Sequence, residues 1–157
     1  MRIEFCNVAC GKLVPARRGN HLYRDTIALL RKHVKRSGSH PAVNQKLIGR
    51  AKKTILLIDS WVGPGTLDML AKKRKGVVVE VVTSPRGNKL AASDITKFNA
   101  QYGGLSVKTS MAFHDHFLII DDKELYLIGA SLKDLGKKCF GFTSLDKSNI
   151  PDILAKI

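Results

Sequence analysis

From residue 41 onward, short apolar runs alternate with segments of helical spacing. "TILLID" at 54–59 and "VVVEVVT" at 77–83 are continuous apolar stretches, the pattern of strands covered on both faces. "PAVNQKLIGRAKK" predicts a helix from Pro41, with Val43, Leu47 and Ala51 inward. "GPGTLDMLAKKRKG" predicts a turn and a helix ending at Gly76. "SDITKFNAQYGG" predicts a helix capped by Ser93 and stopped by Gly103. Three strand candidates follow, "LSVKT", "HDHFLII" and "ELYLIG". A short helix near "SLKDLG", a strand near "CFGFT" and a final helix near "IPDILAKI" complete the chain. Strands separated by helices predict an α/β fold: a mixed, largely parallel sheet with helices on both faces.

The front of the chain reads differently. Residues 23–36, "YRDTIALLRKHVKR", place Tyr23, Ile27, Leu30 and Val34 on one helical stripe. Arg24, Arg31 and Lys35 share another face. "SGSHP" at 37–41 breaks the pattern. The chain thus divides into a basic N-terminal segment, 1–40, with an amphipathic helix, and an α/β domain, 41–157.

Charge sharpens that division. The net charge is +14, and residues 1–53 carry 13 of the 27 Lys and Arg against only Glu4 and Asp25. A polyanion, most naturally nucleic acid, is the partner this asymmetry implies, with Arg24, Arg31 and Lys35 as candidate contacts. A basic, solvated surface is the plainer alternative. No apolar run approaches the roughly 20 residues that span a bilayer, and no secretory signal is legible. A cytoplasmic protein without a membrane partner is expected. Cys6, Cys10 and Cys139 are an odd count without a second close pair, which argues against a disulfide framework or a zinc site.

Ligands of open α/β sheets bind beyond the carboxyl ends of strands. That singles out Asp59-Ser60-Trp61 and Ser84-Pro85-Arg86, although both could be plain surface loops; Arg86 joins the candidate nucleic-acid contacts. On a strand over 114–120, His114 and His116 project to one face, with Phe113, Asp115 and Phe117 opposite. His-x-His can open a metal site, but the other histidines, His21, His33 and His40, all lie in the basic front segment. Three protein ligands are hard to assemble from them, so no metal or other cofactor is expected.

"HDHFLIID" followed by "GAS" resembles the phospholipase D superfamily signature, His-x-Lys-x4-Asp and then Gly-Ser-x-Asn. His114 and Asp121 match it in identity and spacing. Residues 42–146 are similar to a group of small bacterial phospholipase-D-like proteins. The resemblance implies a phospholipase-D-like half-domain and a metal-independent phosphodiesterase or nuclease. One histidine would attack phosphorus and another would protonate the leaving oxygen. With one motif per chain, a homodimer would bring two His114 imidazoles together.

The resemblance gives His114, His116 and Asp121 as the catalytic set, Asp121 orienting a histidine or fixing the loop. Ser131 and Lys133 are candidate phosphate ligands. The chain departs from the pattern in three places, one of them Gly129, which falls one residue out of step with the second motif segment. His116 stands where the family keeps lysine, and Lys133 stands where asparagine is expected. Lys133 could restore the missing cation, or simply belong to a basic helix start. Ser131 could equally cap that helix. A domain that binds nucleic acid or another phosphate ligand without cleaving it is the competing reading. A lipid phosphodiesterase is a third, disfavoured by the basic front.

Overall fold

The computed structural model describes residues 2–6, 47–132 and 140–157. The amphipathic helix expected at 23–36, with Arg24, Arg31 and Lys35, lies outside them, as does Lys133. Seven strands form one sheet: β1 Arg2–Cys6, β2 Thr54–Ile58, β3 Val78–Thr83, β4 Leu105–Thr109, β5 His116–Ile120, β6 Glu124–Ile128 and β7 Phe140–Leu145. Their order is β1-β7-β6-β5-β2-β3-β4. The helices are α1 Pro64–Leu70, α2 Ala92–Gln101 and α3 Ile150–Leu154, the last preceded by a 3-10 turn at Lys147–Asn149.

The largely parallel sheet expected from sequence is incorrect. Only β2–β3 and β3–β4 are parallel, while β1–β7, β7–β6, β6–β5 and β5–β2 are antiparallel. Parallel neighbours need a crossover of about a dozen residues, whereas antiparallel ones can be joined by a tight turn. The segments carrying α1 and α2 supply two crossovers. Beyond β4, β5 and β6 are joined by Asp121-Asp122-Lys123 alone, and Asp121 and Asp122 both adopt φ 53°. Aspartate tolerates that left-handed conformation better than most residues, which lets the chain reverse at once.

Alternation along the strands divides the core. Ile55 and Leu57, Leu118 and Ile120, and Tyr126 and Ile128 face one side, where Leu67 and Leu70 of α1 and Phe98 of α2 cover them. Leu56, Ile119 and Leu125 face the other, under Ile150 and Ile153 of α3. The α2 helix starts one residue before Ser93, with Ala91 at its cap position, and the Asp94 carboxylate accepts the Ala91 N–H at 2.9 Å. The α1 helix ends at Leu70, before the predicted Gly76, because the chain turns there to reach buried Val77.

Asp121 has a structural task at the β5–β6 turn. Its carboxylate accepts the consecutive backbone N–H groups of Lys52 (2.9 Å), Lys53 (2.7 Å) and Thr54 (3.0 Å), anchoring the entry to β2. Burial pushes this carboxyl up, but those three N–H groups and the Lys123 charge outweigh it and hold it below the ordinary value of 3.8. A carboxylate depressed in the folded state stabilises above its unfolded pKa, and that contribution fades as pH falls through the lower folded value. Asp121→Ala should therefore cost about 1–1.5 kcal/mol at neutral pH, the low end for charged hydrogen bonds because the group is near solvent. Denaturant titrations should show the difference shrinking below about pH 4; a cost that is independent of pH would overturn this assignment.

Candidate functional site

The sheet's mixed directions converge on one end. There β2 and β3 finish, β5 begins and β6 finishes. Ile58 pairs with Phe117 across the antiparallel β2–β5 junction, so the next step places Asp59 opposite His116. His116 itself pairs with Ile128, and three residues past Ile128 the chain delivers Ser131 to the same end. After β4, at the sheet's edge, the chain returns across the ends of β3 and β2 to start β5. Ser110 N–H donates to Thr83 O at 2.9 Å, and the Ser60 hydroxyl donates to Phe113 O at 3.4 Å.

Asp59 is the hub, and it is wholly buried. Its Oδ2 accepts the Ser131 hydroxyl at 2.7 Å and the Leu132 N–H at 2.8 Å. Its Oδ1 accepts the Trp61 N–H at 2.9 Å. His116 Nδ1 lies 3.1 Å from Oδ1, off the line of a straight hydrogen bond, with no hydrogen-bond partner among the described residues. The contact is electrostatic in character. Burial pushes the Asp59 carboxyl up, but the His116 ring, the Trp61 N–H, the Ser131 hydroxyl and the Leu132 N–H outweigh burial and hold it below 3.8. A buried carboxylate kept ionised against Nδ1 favours a proton there and leaves Nε2 with its lone pair. Nδ1 is sealed, while the His116 side chain as a whole keeps 17% of its surface exposed.

The loops around this hub are interlocked. The Ser84 hydroxyl donates to Ser60 O at 2.9 Å. Val62 N–H donates to Gly87 O at 3.2 Å, and Lys89 N–H to Val62 O at 2.9 Å. A Cβ on Gly87 would lie 1.6 Å from Ser60 O, so only glycine lets the two loops meet. Exposed Arg86 sits in this turn, directly beside Gly87.

Of the sequence-predicted residues that are described, His116 and Ser131 meet at Asp59, whereas His114 and Asp121 do not join them. Because β5 begins at His116, strand alternation does not extend to His114. His114 is exposed and lines a groove with Phe113, Asp115 and Phe117, the residues expected opposite it. Asp146 and Asp152 line that groove too, with Lys156 as its one lysine, an environment that repels phosphate. Asp121 lies at the far end of β5, about 16 Å along the strand from His116. The Ser131 hydroxyl has one proton, shared between Asp59 and Trp61 O at 2.8 Å, and is committed within the protein. Asp59, singled out from sequence only as part of a strand-end loop that could be plain surface, was not placed with the catalytic histidines. Its signal was a lone carboxylate ending a buried strand, without a visible partner. Among the described residues, no group of three or more His, Cys, Asp or Glu could hold a metal ion. Nor is any helix among them long and apolar enough to cross a membrane.

No family model matches the chain, and no curated protein is similar to it. Solved structures are. A phospholipase D family member, Nuc from Salmonella typhimurium, is 22% identical, over 75% of this chain and 84% of its own, with a TM-score of 0.54. NucT from Helicobacter pylori is 14% identical, over 73% of this chain and 82% of its own, with a TM-score of 0.53. At these identities the likeness is one of fold: the chain adopts a phospholipase-D-like α/β architecture.

Proposed function

We propose that this chain is a phospholipase-D-type phosphodiesterase acting on nucleic acid, with His116 as its reacting imidazole. The observation that carries this reading is the buried, ionised Asp59 set against His116 Nδ1 at 3.1 Å. Nε2 of His116 attacks phosphorus, the bond from phosphorus to the leaving oxygen breaks, and a phosphohistidine forms. A second imidazole, protonated, gives its proton to the leaving oxygen. It then takes a proton from the water that hydrolyses the phosphohistidine, which restores both groups. A second copy of the chain, presenting its own His116 across a two-fold axis, supplies that imidazole. Arg86 and Lys133 are assigned to the phosphate charge, the part the family gives to lysine.

Cleavage of bis(p-nitrophenyl) phosphate and of a labelled oligonucleotide tests this reading. Turnover should persist in EDTA, because the histidines carry the chemistry, and the active species should be a dimer by light scattering. Turnover abolished by EDTA and restored by a divalent metal would overturn it. The competing reading, a domain that holds phosphate without cleaving it, is favoured by one fact: His114 and His116 do not converge within the chain. Tight oligonucleotide binding with no turnover would select that reading.

A further inference from the structure

Trp61 is the chain's single tryptophan, and 52% of it is exposed. A large apolar ring in water is an unusual residue to find at the rim of a candidate site. Its backbone is held from both sides. The N–H donates to Asp59 Oδ1 at 2.9 Å, and the C=O accepts the Ser131 hydroxyl at 2.8 Å. The next residue, Val62, is zipped to the following loop through Gly87 O and Lys89 N–H. The Trp61 backbone is thus fixed to the same carboxylate that faces His116, while the residue stays about half exposed. Two exposed cations belong to the loop zipped against it, Arg86 and Lys89.

We propose that Trp61 is a stacking platform for an unpaired base and that the substrate class is single-stranded nucleic acid. This rests on the nucleic-acid reading given above and names which nucleic acid the site takes. A flat π-face beside cations is how proteins hold single strands: bases stack while the cations follow the phosphates. In a duplex the bases are already stacked on one another, so the ring has no face to meet. Fixing the Trp61 backbone to Asp59 sets the stacked base at a constant distance from His116. The phosphate next to that base is thereby held at the reacting imidazole. An acidic or purely apolar partner fits less well, since Arg86 and Lys89 disfavour an apolar surface and no aromatic ring is needed to hold a carboxylate.

The test uses the full chain carrying His116→Ala, so that cleavage plays no part and a failed cleavage assay registers separately. The probes are a single-stranded oligothymidylate of about 12 nucleotides, its abasic analogue of equal charge, and a duplex of the same length. Tryptophan fluorescence should be quenched by the oligothymidylate and little changed by the abasic strand. Anisotropy of labelled strands should show the abasic analogue and the duplex binding about 5- to 100-fold more weakly. Adding Trp61→Ala should remove that preference, and Trp61→Phe should restore most of it. Equal affinity for the based and abasic strands, or a preference that survives Trp61→Ala, would overturn the proposal.

Discussion

Replacing His116 with alanine should lower phosphodiester cleavage by about a thousandfold or more, while His114→Ala should change it by less than about tenfold. The motif alone orders these the other way, because His114 occupies the family's histidine position and His116 its lysine position. Geometry decides between them. An attacking imidazole needs a fixed tautomer and a fixed direction, and an ionised carboxylate set against the far nitrogen of the ring favours both. Of these two histidines, His116 has such a carboxylate, Asp59 at 3.1 Å. His114 is exposed and shares its groove with Asp115, Asp146 and Asp152, whose charges oppose an approaching phosphate. Single-turnover rates on a labelled oligonucleotide would measure both variants, with circular dichroism to establish that each is folded. If His114→Ala is the dead variant and His116→Ala retains activity, the assignment made from the Asp59 contact is wrong.

The error in sheet direction is what hid the pairing of Asp59 with His116. The apolar runs that became β2, β3, β5 and β6 are legible because each is bounded by polar or turn residues. Their directions are not legible from apolar runs. In a parallel sheet, the start of β5 lies at the opposite end from the finish of β2. Asp59 and His116 would then be about a strand's length apart. The antiparallel β2–β5 pair, with Ile58 opposite Phe117, brings them face to face. One local signal did exist. "DDK" between "FLII" and "ELYLI" is too short for a crossover and contains two residues tolerant of positive φ, so it marks a hairpin. Nothing local reports that β5 inserts beside β2 rather than β4, since that depends on a loop crossing the ends of two strands. Asp121 had the converse history: its spacing matched a motif, and three backbone N–H groups at the entry to β2 explain it structurally.

Two substitutions at Asp59 should separate its structural role from its chemical one. Asp59→Ala strands the Trp61 and Leu132 N–H groups, the Ser131 hydroxyl and His116 Nδ1 around a fully buried gap. Removing the acceptor from such a cluster costs about 3–5 kcal/mol, a fall in melting temperature of roughly 6–20 °C for a domain of this size. Asp59→Asn is the sharper experiment. It keeps the shape and one acceptor oxygen, which can still serve Ser131 and Leu132, while the Trp61 N–H loses its acceptor. Its amide N–H then faces the His116 ring and favours the tautomer with the proton on Nε2, the nitrogen required for attack. Turnover should fall on the order of 10²–10⁴-fold with KM little altered. Because the group lost is an ionised carboxylate, the alkaline side of the pH–rate profile should not rescue the variant. A protein less stable but as fast as the parent would make the Asp59–His116 pair a structural tie alone. The phosphate-binding reading without cleavage would then be the better account of this fold.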